Sequence, residues 1–191
     1  MVMTHPSILA SPHALHAPLA SQGGTPTDFV WHDEGECQAM AARLAQVMQP
    51  GLSTGGSLTL ELHGTMGAGK TTFTRHLLRA LGVQGRIKSP SYAVVEPHEA
   101  PGIAIHHFDF YRFNDPQEWE DAGFRELFGG PGLKLVEWPD KAAGLLPVAD
   151  LQLHIDVMAQ DGRDEDAAPA RQVRWVAGTA AGQVVKEALH G

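Results

Sequence analysis

An α/β fold on a mostly parallel central sheet is predicted by three observations. Residues 64–72 read Gly-Thr-Met-Gly-Ala-Gly-Lys-Thr-Thr, which fits G-x-x-x-x-G-K-[ST] at Gly64, Gly69, Lys70 and Thr71. Residues 58–62 before them, Leu-Thr-Leu-Glu-Leu, carry apolar side chains at alternate positions, as a strand does. Phe73, Leu77, Leu78 and Leu81 after them recur at helical spacing, with Gly82 as a stop. Strand, glycine loop and helix in that order make the setting that a phosphate-binding P-loop needs, and further strands and helices surround it. The expected architecture is a P-loop NTPase-type three-layer sandwich with a mostly parallel central sheet and an antiparallel C-terminal hairpin.

Residues 1–27 are rich in Ser, Pro, His, Ala, Gly and Thr and hold no Lys or Arg. They are read as a disordered N-terminal extension, without the basic start of a secretory signal or the arginines of a mitochondrial one. His5, His13, His16 and His32 are too scattered to suggest a metal site. Residues 28–191 are read as a single domain. Phe29 to Trp31 forms a short edge strand. Asp33 leads into a helix with Met40, Leu44, Val47 and Met48 on one side, ended by Pro50 and Gly51. Beyond the P-loop unit, residues 92–96 and 103–109 are two strands joined by a Pro/Gly turn. Asp115, Pro116 and Glu118 mark a helix start, and Trp119, Ala122 and Leu127 give that helix its apolar side. Residues 133–137 are a further strand. Leu151, Leu153, Ile155 and Val157 alternate with polar residues, and Val173 and Trp175 mark the hairpin partner across a polar loop at 161–170. A short helix over 180–189 closes the chain.

The chain has 191 residues, 14 basic and 22 acidic, for a net charge of −8. That balance argues against a protein whose main task is to coat nucleic acid, which needs a basic face. Cys37 is the only cysteine, so there is no internal disulfide or cysteine metal cluster, as suits a reducing cytoplasm. No apolar run approaches the ~20 residues of a membrane span.

The glycines of a P-loop let backbone N–H groups turn inward around a triphosphate, and the helix N-terminus adds partial positive charge. Lys70 is placed to reach the β and γ phosphates, and the Thr71 hydroxyl to ligate magnesium. Hydrolysis also needs acids at strand carboxyl ends to hold the metal and to position water. Asp109 ends one apolar run and Glu137 another, and the residues alone do not say which acid does which. Residues 89–92, Ser-Pro-Ser-Tyr, suit a loop that senses the γ-phosphate, with an ordinary turn as the alternative. Arg112 meets phosphate or solvent, and Trp138 stacks on a ring or packs in the core. His106 and His107 are adjacent on a strand, point to opposite faces and do not form a metal pair.

Four segments occur in order at compatible spacing: the loop at 64–72, Lys-Ser-Pro-Ser-Tyr at 88–92, His-Phe-Asp-Phe-Tyr-Arg at 107–112, and Val-Glu-Trp-Pro-Asp at 136–140. Together they resemble the TsaE (formerly YjeE) family of bacterial ATPases of tRNA threonylcarbamoyladenosine synthesis, from about Phe29 to the C-terminus. The resemblance implies a P-loop fold binding ATP and Mg2+. It implies a cytoplasmic subunit, weakly active alone. Such a subunit works with TsaB and TsaD, which modify adenosine 37 of tRNAs reading ANN codons, and its ATP cycle resets the complex. The tRNA would be met only indirectly. By motif match, Thr71 and Glu137 would hold magnesium. Gly64, Met66, Gly67, Ala68, Gly69, Lys70, Thr71, Thr72 and Trp138 would line the nucleotide. Lys70, Asp109 and Glu137 would serve hydrolysis, with Ser89 to Tyr92 as the switch loop. Thr65 stands where the family usually has Asp, and Ser91 where Thr is common. The N-terminal extension and the 161–170 loop are longer than usual, and the family's Gly-Arg there maps to Gly162 and Arg163.

The first rival is a P-loop small-molecule kinase. It would carry an arginine-rich lid, whereas Arg75, Arg79, Arg86, Arg112 and Arg125 are dispersed along the chain. The second is a GTPase switch, which would need an Asn-Lys-x-Asp guanine reader that the sequence lacks.

Overall fold

The computed structural model describes residues 27–90, 94–113, 116–159 and 168–190. The 1–26 stretch, Ser91, Tyr92, Asp115 and Arg163 lie outside them. One seven-stranded sheet organises the chain, in the order β1-β7-β6-β2-β5-β4-β3. Its strands are β1 (Thr27–Trp31), β2 (Ser57–His63), β3 (Val95–Ala100), β4 (Ile103–Asp109), β5 (Gly132–Glu137), β6 (Leu151–Val157) and β7 (Arg171–Ala177). The four central strands β6, β2, β5 and β4 run parallel, and antiparallel strands close both edges. The β6–β7 hairpin is the expected C-terminal one.

Helices cover both faces, which makes three layers. On one face α1 (Glu34–Ser53), α2 (Lys70–Ala80) and α5 (Ala180–Ala188) pack over Leu58, Leu60, Leu62, Leu133, Leu135, Leu151 and Leu153. The opposite face carries an aromatic cluster: Phe108, Phe110, Trp119 and Phe124 with Val136, contributed by β4, β5, α3 (Pro116–Asp121) and α4 (Phe124–Gly129). Alternation along β5 divides the two cores, since Leu133 and Leu135 face one and Val136 the other. Lys134 is fully buried on β5, and its ammonium donates to the Ser57 hydroxyl at 2.7 Å and to the Gly130 carbonyl. Burial pushes its pKa down to about 8.

Three elements differ from expectation. The first helix runs past Pro50 and Gly51 to Ser53, with Thr54 as its cap. Leu44, Met48 and Leu52 form one buried stripe at i, i+4 spacing, and burial of Leu52 holds the extra turn, while the Thr54 hydroxyl satisfies the Gly51 carbonyl at 2.9 Å. The strand expected over 92–96 lies at Val95–Ala100 and joins β4 through a two-residue turn, Pro101 and Gly102. Pro97 is tolerated there because β3 is an edge strand. The helix that was to contain Trp119, Ala122 and Leu127 is two, broken at Gly123 with φ +65°, and Ala122 is exposed.

Candidate functional site

The parallel strands β2, β5 and β4 end on the same edge of the sheet, which is where ligands bind in open α/β folds. From β2 the chain turns through residues 64–69 into α2. Gly64 has φ +143°, and a Cβ there would lie 2.4 Å from the Ile155 carbonyl oxygen, so only glycine fits. Gly69, at φ +116°, caps α2 without a side chain. The first-turn N–H groups of α2 therefore keep no side-chain cap of their own and are available to an anion.

Lys70 is buried and folded back on this loop. Its ammonium donates to the Gly64 carbonyl at 2.7 Å and the Thr65 carbonyl at 2.9 Å, and it lies 3.7 Å from the centre of the Trp138 ring. Burial lowers its pKa, while Glu137 and Asp109 pull the other way. Every direct contact of the cation is thus to a neutral group, although two carboxylates lie near. Trp138 holds its place in the left-handed region, φ 59° and ψ 48°, alone among the described non-glycine residues. Strain of this kind concentrates at functional sites.

Glu137 ends β5 and is buried. Its Oε2 accepts from the Thr71 hydroxyl at 2.9 Å, and its Oε1 from His107 Nε2 at 2.9 Å. The Thr74 hydroxyl stands at 3.5 Å, at the limit of a hydrogen bond. A carboxylate only accepts, so the His107 proton sits on Nε2. Asp109 is the direct parallel partner of Glu137 across β4 and β5. Its Oδ1 accepts from the Tyr111 N–H at 3.0 Å and its Oδ2 from the Ser89 hydroxyl, which ties the loop before β3 to the end of β4.

A cavity of about 290 Å³ opens between these groups. Met66, Gly67, Gly69, Lys70, Thr71 and Thr72 wall it on one side, and Asp109, Glu137 and Trp138 on the other, with Tyr111. Of the expected site residues, Gly64 is absent from the wall because it forms the turn beneath, and Ala68 lines a neighbouring cavity instead. Thr71 and Glu137 present two hard oxygen donors to one space, which suits Mg2+, an ion that keeps several waters and takes only one or two protein ligands. A second cavity, about 210 Å³, shares Gly67, Gly69 and Thr72 and is walled by Trp31, Asp33, Cys37 and Arg171. Arg171 donates to the Ala68 carbonyl at 3.2 Å, and burial pushes the Cys37 thiol up to about 12, far from nucleophilic.

His107 and Thr74 were not singled out for this site, and the signal for both was periodicity. His107 lies two positions before Asp109 on one strand face, and Thr74 three after Thr71 on one helix face. His106 does point away, towards Phe108, and among the described residues no group of three His, Cys, Asp or Glu side chains is placed to hold a metal. The arginines are not all dispersed. Arg75, Arg79 and Arg86 line one open depression of about 590 Å³ with Lys88, Thr71 and Ser89. The helix between β2 and the loop brings together what the sequence spreads out. Arg112 is exposed outside it, and Arg125 pairs with Glu120 at 2.8 Å.

The family described as threonylcarbamoyl adenosine biosynthesis protein TsaE matches residues 31–165. The chain is 40% identical over 124 residues to the tRNA threonylcarbamoyladenosine biosynthesis protein TsaE of Haemophilus influenzae, covering 65% of this chain and 78% of that one. It is 36% identical over 129 residues to the protein of the same name from Bacillus subtilis, covering 68% and 77%. A crystal structure of Bacillus subtilis YdiB shares the fold with a TM-score of 0.66 at 23% identity, over 90% of this chain and 97% of that one. By its match to the family over most of its length, the chain belongs to the TsaE family.

Proposed function

We propose that this chain is the ATP-binding and ATP-hydrolysing subunit of a cytoplasmic tRNA-modifying system. It would be needed for threonylcarbamoylation of adenosine 37 in tRNAs reading ANN codons, acting with TsaB and TsaD to reset their complex between turnovers. The carrying observation is convergence: Lys70 and Thr71 from α2, Asp109 from β4 and Glu137 from β5 meet at one cavity under a helix N-terminus. In support, no helix among the described residues is long and apolar enough to cross a membrane.

The loop's N–H groups and Lys70 bind the phosphates, and Lys70 exchanges its carbonyl partners for them. The second cavity, which shares Gly67, Gly69 and Thr72 with the first, seats the nucleoside. Thr71 and Glu137 hold Mg2+, which when bound neutralises phosphate charge. Asp109 keeps lone pairs free beside its two bonds and orients water. Weak turnover by the chain alone follows from the open cavity, which a partner would close.

The test is tRNA modification by a reconstituted TsaB–TsaD pair under multiple-turnover conditions. Wild type should sustain product formation and Lys70→Ala should stop it after the first round. Sustained turnover with Lys70→Ala, or phosphate appearing on a small molecule instead, would reject the reading, the latter favouring a kinase.

A further inference from the structure

We infer that the depression lined by Arg75, Arg79, Arg86 and Lys88 is a binding surface for the phosphate backbone of a folded RNA. Arg75 and Arg79 lie one helical turn apart on the exposed side of α2, about 6 Å along its axis. Arg86 and Lys88 come back to meet them on the loop that follows. All four are exposed. Among the described residues none of them pairs with a carboxylate, whereas Arg125 and Arg174 do. Arg79 spends its donors on the carbonyls of Val83, at 3.0 Å, and Gly85, which fixes the loop against the helix and so holds Arg86 in place. Four cations gathered without local acids, in a chain of net charge −8, leave a concentrated positive patch on an acidic protein.

The chemistry of the wall selects the partner. Guanidinium groups bind phosphate through paired N–H donors. A protein partner would want an apolar anchor at the centre of the contact, and among the described residues the only apolar one on the wall, Ile87, is buried. Among the described residues no aromatic side chain lines the depression, and these offer no stacking platform of the kind single-stranded bases use. What remains is recognition of a duplex-like backbone by charge and shape. The depression is about twice the size of the phosphate cavity, more than one small anion fills.

Position gives the surface a consequence. Thr71 lines both this depression and the nucleotide cavity. Ser89, on its other wall, donates to Asp109. An RNA backbone seated here touches the loop whose hydroxyl holds the acid placed at the hydrolytic site. The chain would then feel the tRNA directly, in contrast to the indirect contact that the family resemblance implies. The choice of RNA rests on the tRNA-modification reading above, but the polyanion site does not.

The test measures anisotropy of a labelled, unmodified tRNA transcript with the full chain, from about 50 to about 200 mM salt. Binding should weaken with salt. Arg75→Glu combined with Arg86→Glu should weaken it about tenfold and flatten the logarithmic salt slope by about 2. Affinity for a fluorescent ATP analogue should stay unchanged, because neither side chain lines the nucleotide cavity. If the double variant loses ATP affinity, single Arg75→Ala and Arg86→Ala replacements serve, each expected to flatten the slope by about 1. Unchanged RNA affinity in variants that bind ATP would overturn the inference. Displacement of tRNA by poly-glutamate at equal charge would assign the patch to an acidic protein. Equal competition by duplex DNA would overturn the choice of RNA. No partner protein and no turnover enters the measurement, so its failure is separable from failure of the ATPase reading.

Discussion

His107 Nε2 lies 2.9 Å from Glu137 Oε1, with both side chains buried, so the carboxylate expected to hold magnesium is itself held by a histidine on the neighbouring strand. Outer partners of this kind fix the orientation of a metal ligand and are worth about 10- to 100-fold in metal affinity. His107→Ala should therefore raise the magnesium concentration needed for ATP binding by about that factor, while affinity without magnesium barely changes. His107→Gln, which keeps an N–H at similar reach, should restore part of the loss. Titration of nucleotide binding with magnesium checks both, and equal weakening with and without the metal would mean that His107 only packs.

Lys70 holds two neutral carbonyls and a ring face, which it would give up to meet phosphate under the proposed function, gaining charge for dipole. A hydrogen bond to a charged group contributes about 1.5–3 kcal/mol. Lys70→Ala should thus weaken ATP binding by about 10- to 100-fold, measured by equilibrium titration. Wild-type affinity in that variant would remove Lys70 from phosphate binding.

Asp109 is bonded to Ser89 and to the Tyr111 backbone, and neither bond uses the nucleotide. Asp109→Ala should lower magnesium-dependent turnover by about a hundredfold with ATP binding retained. Ser89→Ala should lower turnover less, because it frees the carboxylate without removing it. Hydrolysis at the wild-type rate by Asp109→Ala would show that its assigned role is wrong.

Stability should fall on acidification. Burial holds His98 and His154 below the ordinary histidine value of 6.5; for His98 the pull of Glu96 the other way exceeds what His107 adds, and for His154 His63 and Arg174 add more than Asp156 and Glu61 oppose. The unfolded chain then binds protons more readily than the folded one. The contribution is fully present above 6.5 and is lost as pH falls towards the lowered folded values. The melting temperature should be lower at about pH 5.5 than at about pH 7.5, and His154→Gln should reduce that difference. A pH-independent difference between the variant and wild type would contradict the assignment.

Much of this was legible in the chain because it is local. The strand, glycine loop and helix around Lys70 announce themselves by period and by motif, and the alternation in β6 names its inward face. Asp109 and Glu137 were readable as strand ends, but only the sheet register makes them neighbours. The shifted β3 escaped because edge strands are placed by their partner rather than by their own pattern, and Pro97 reads locally as a break. Gly123 split one expected helix into two through a positive φ that composition does not reveal. His107 was read correctly as facing away from His106, yet its contact with Glu137 spans thirty positions of sequence. The arginine cluster was missed for the same reason: α2 and the loop after it must fold before Arg86 meets Arg75.

The central claim is tested most directly by magnesium-dependent ATP hydrolysis, measured for the purified chain alone and then with the TsaB–TsaD pair. The account predicts slow release of phosphate alone, a clear rise with the pair, and loss of both with Asp109→Ala. Equal rates with and without the pair, or phosphate transferred to a small acceptor instead of water, would contradict it.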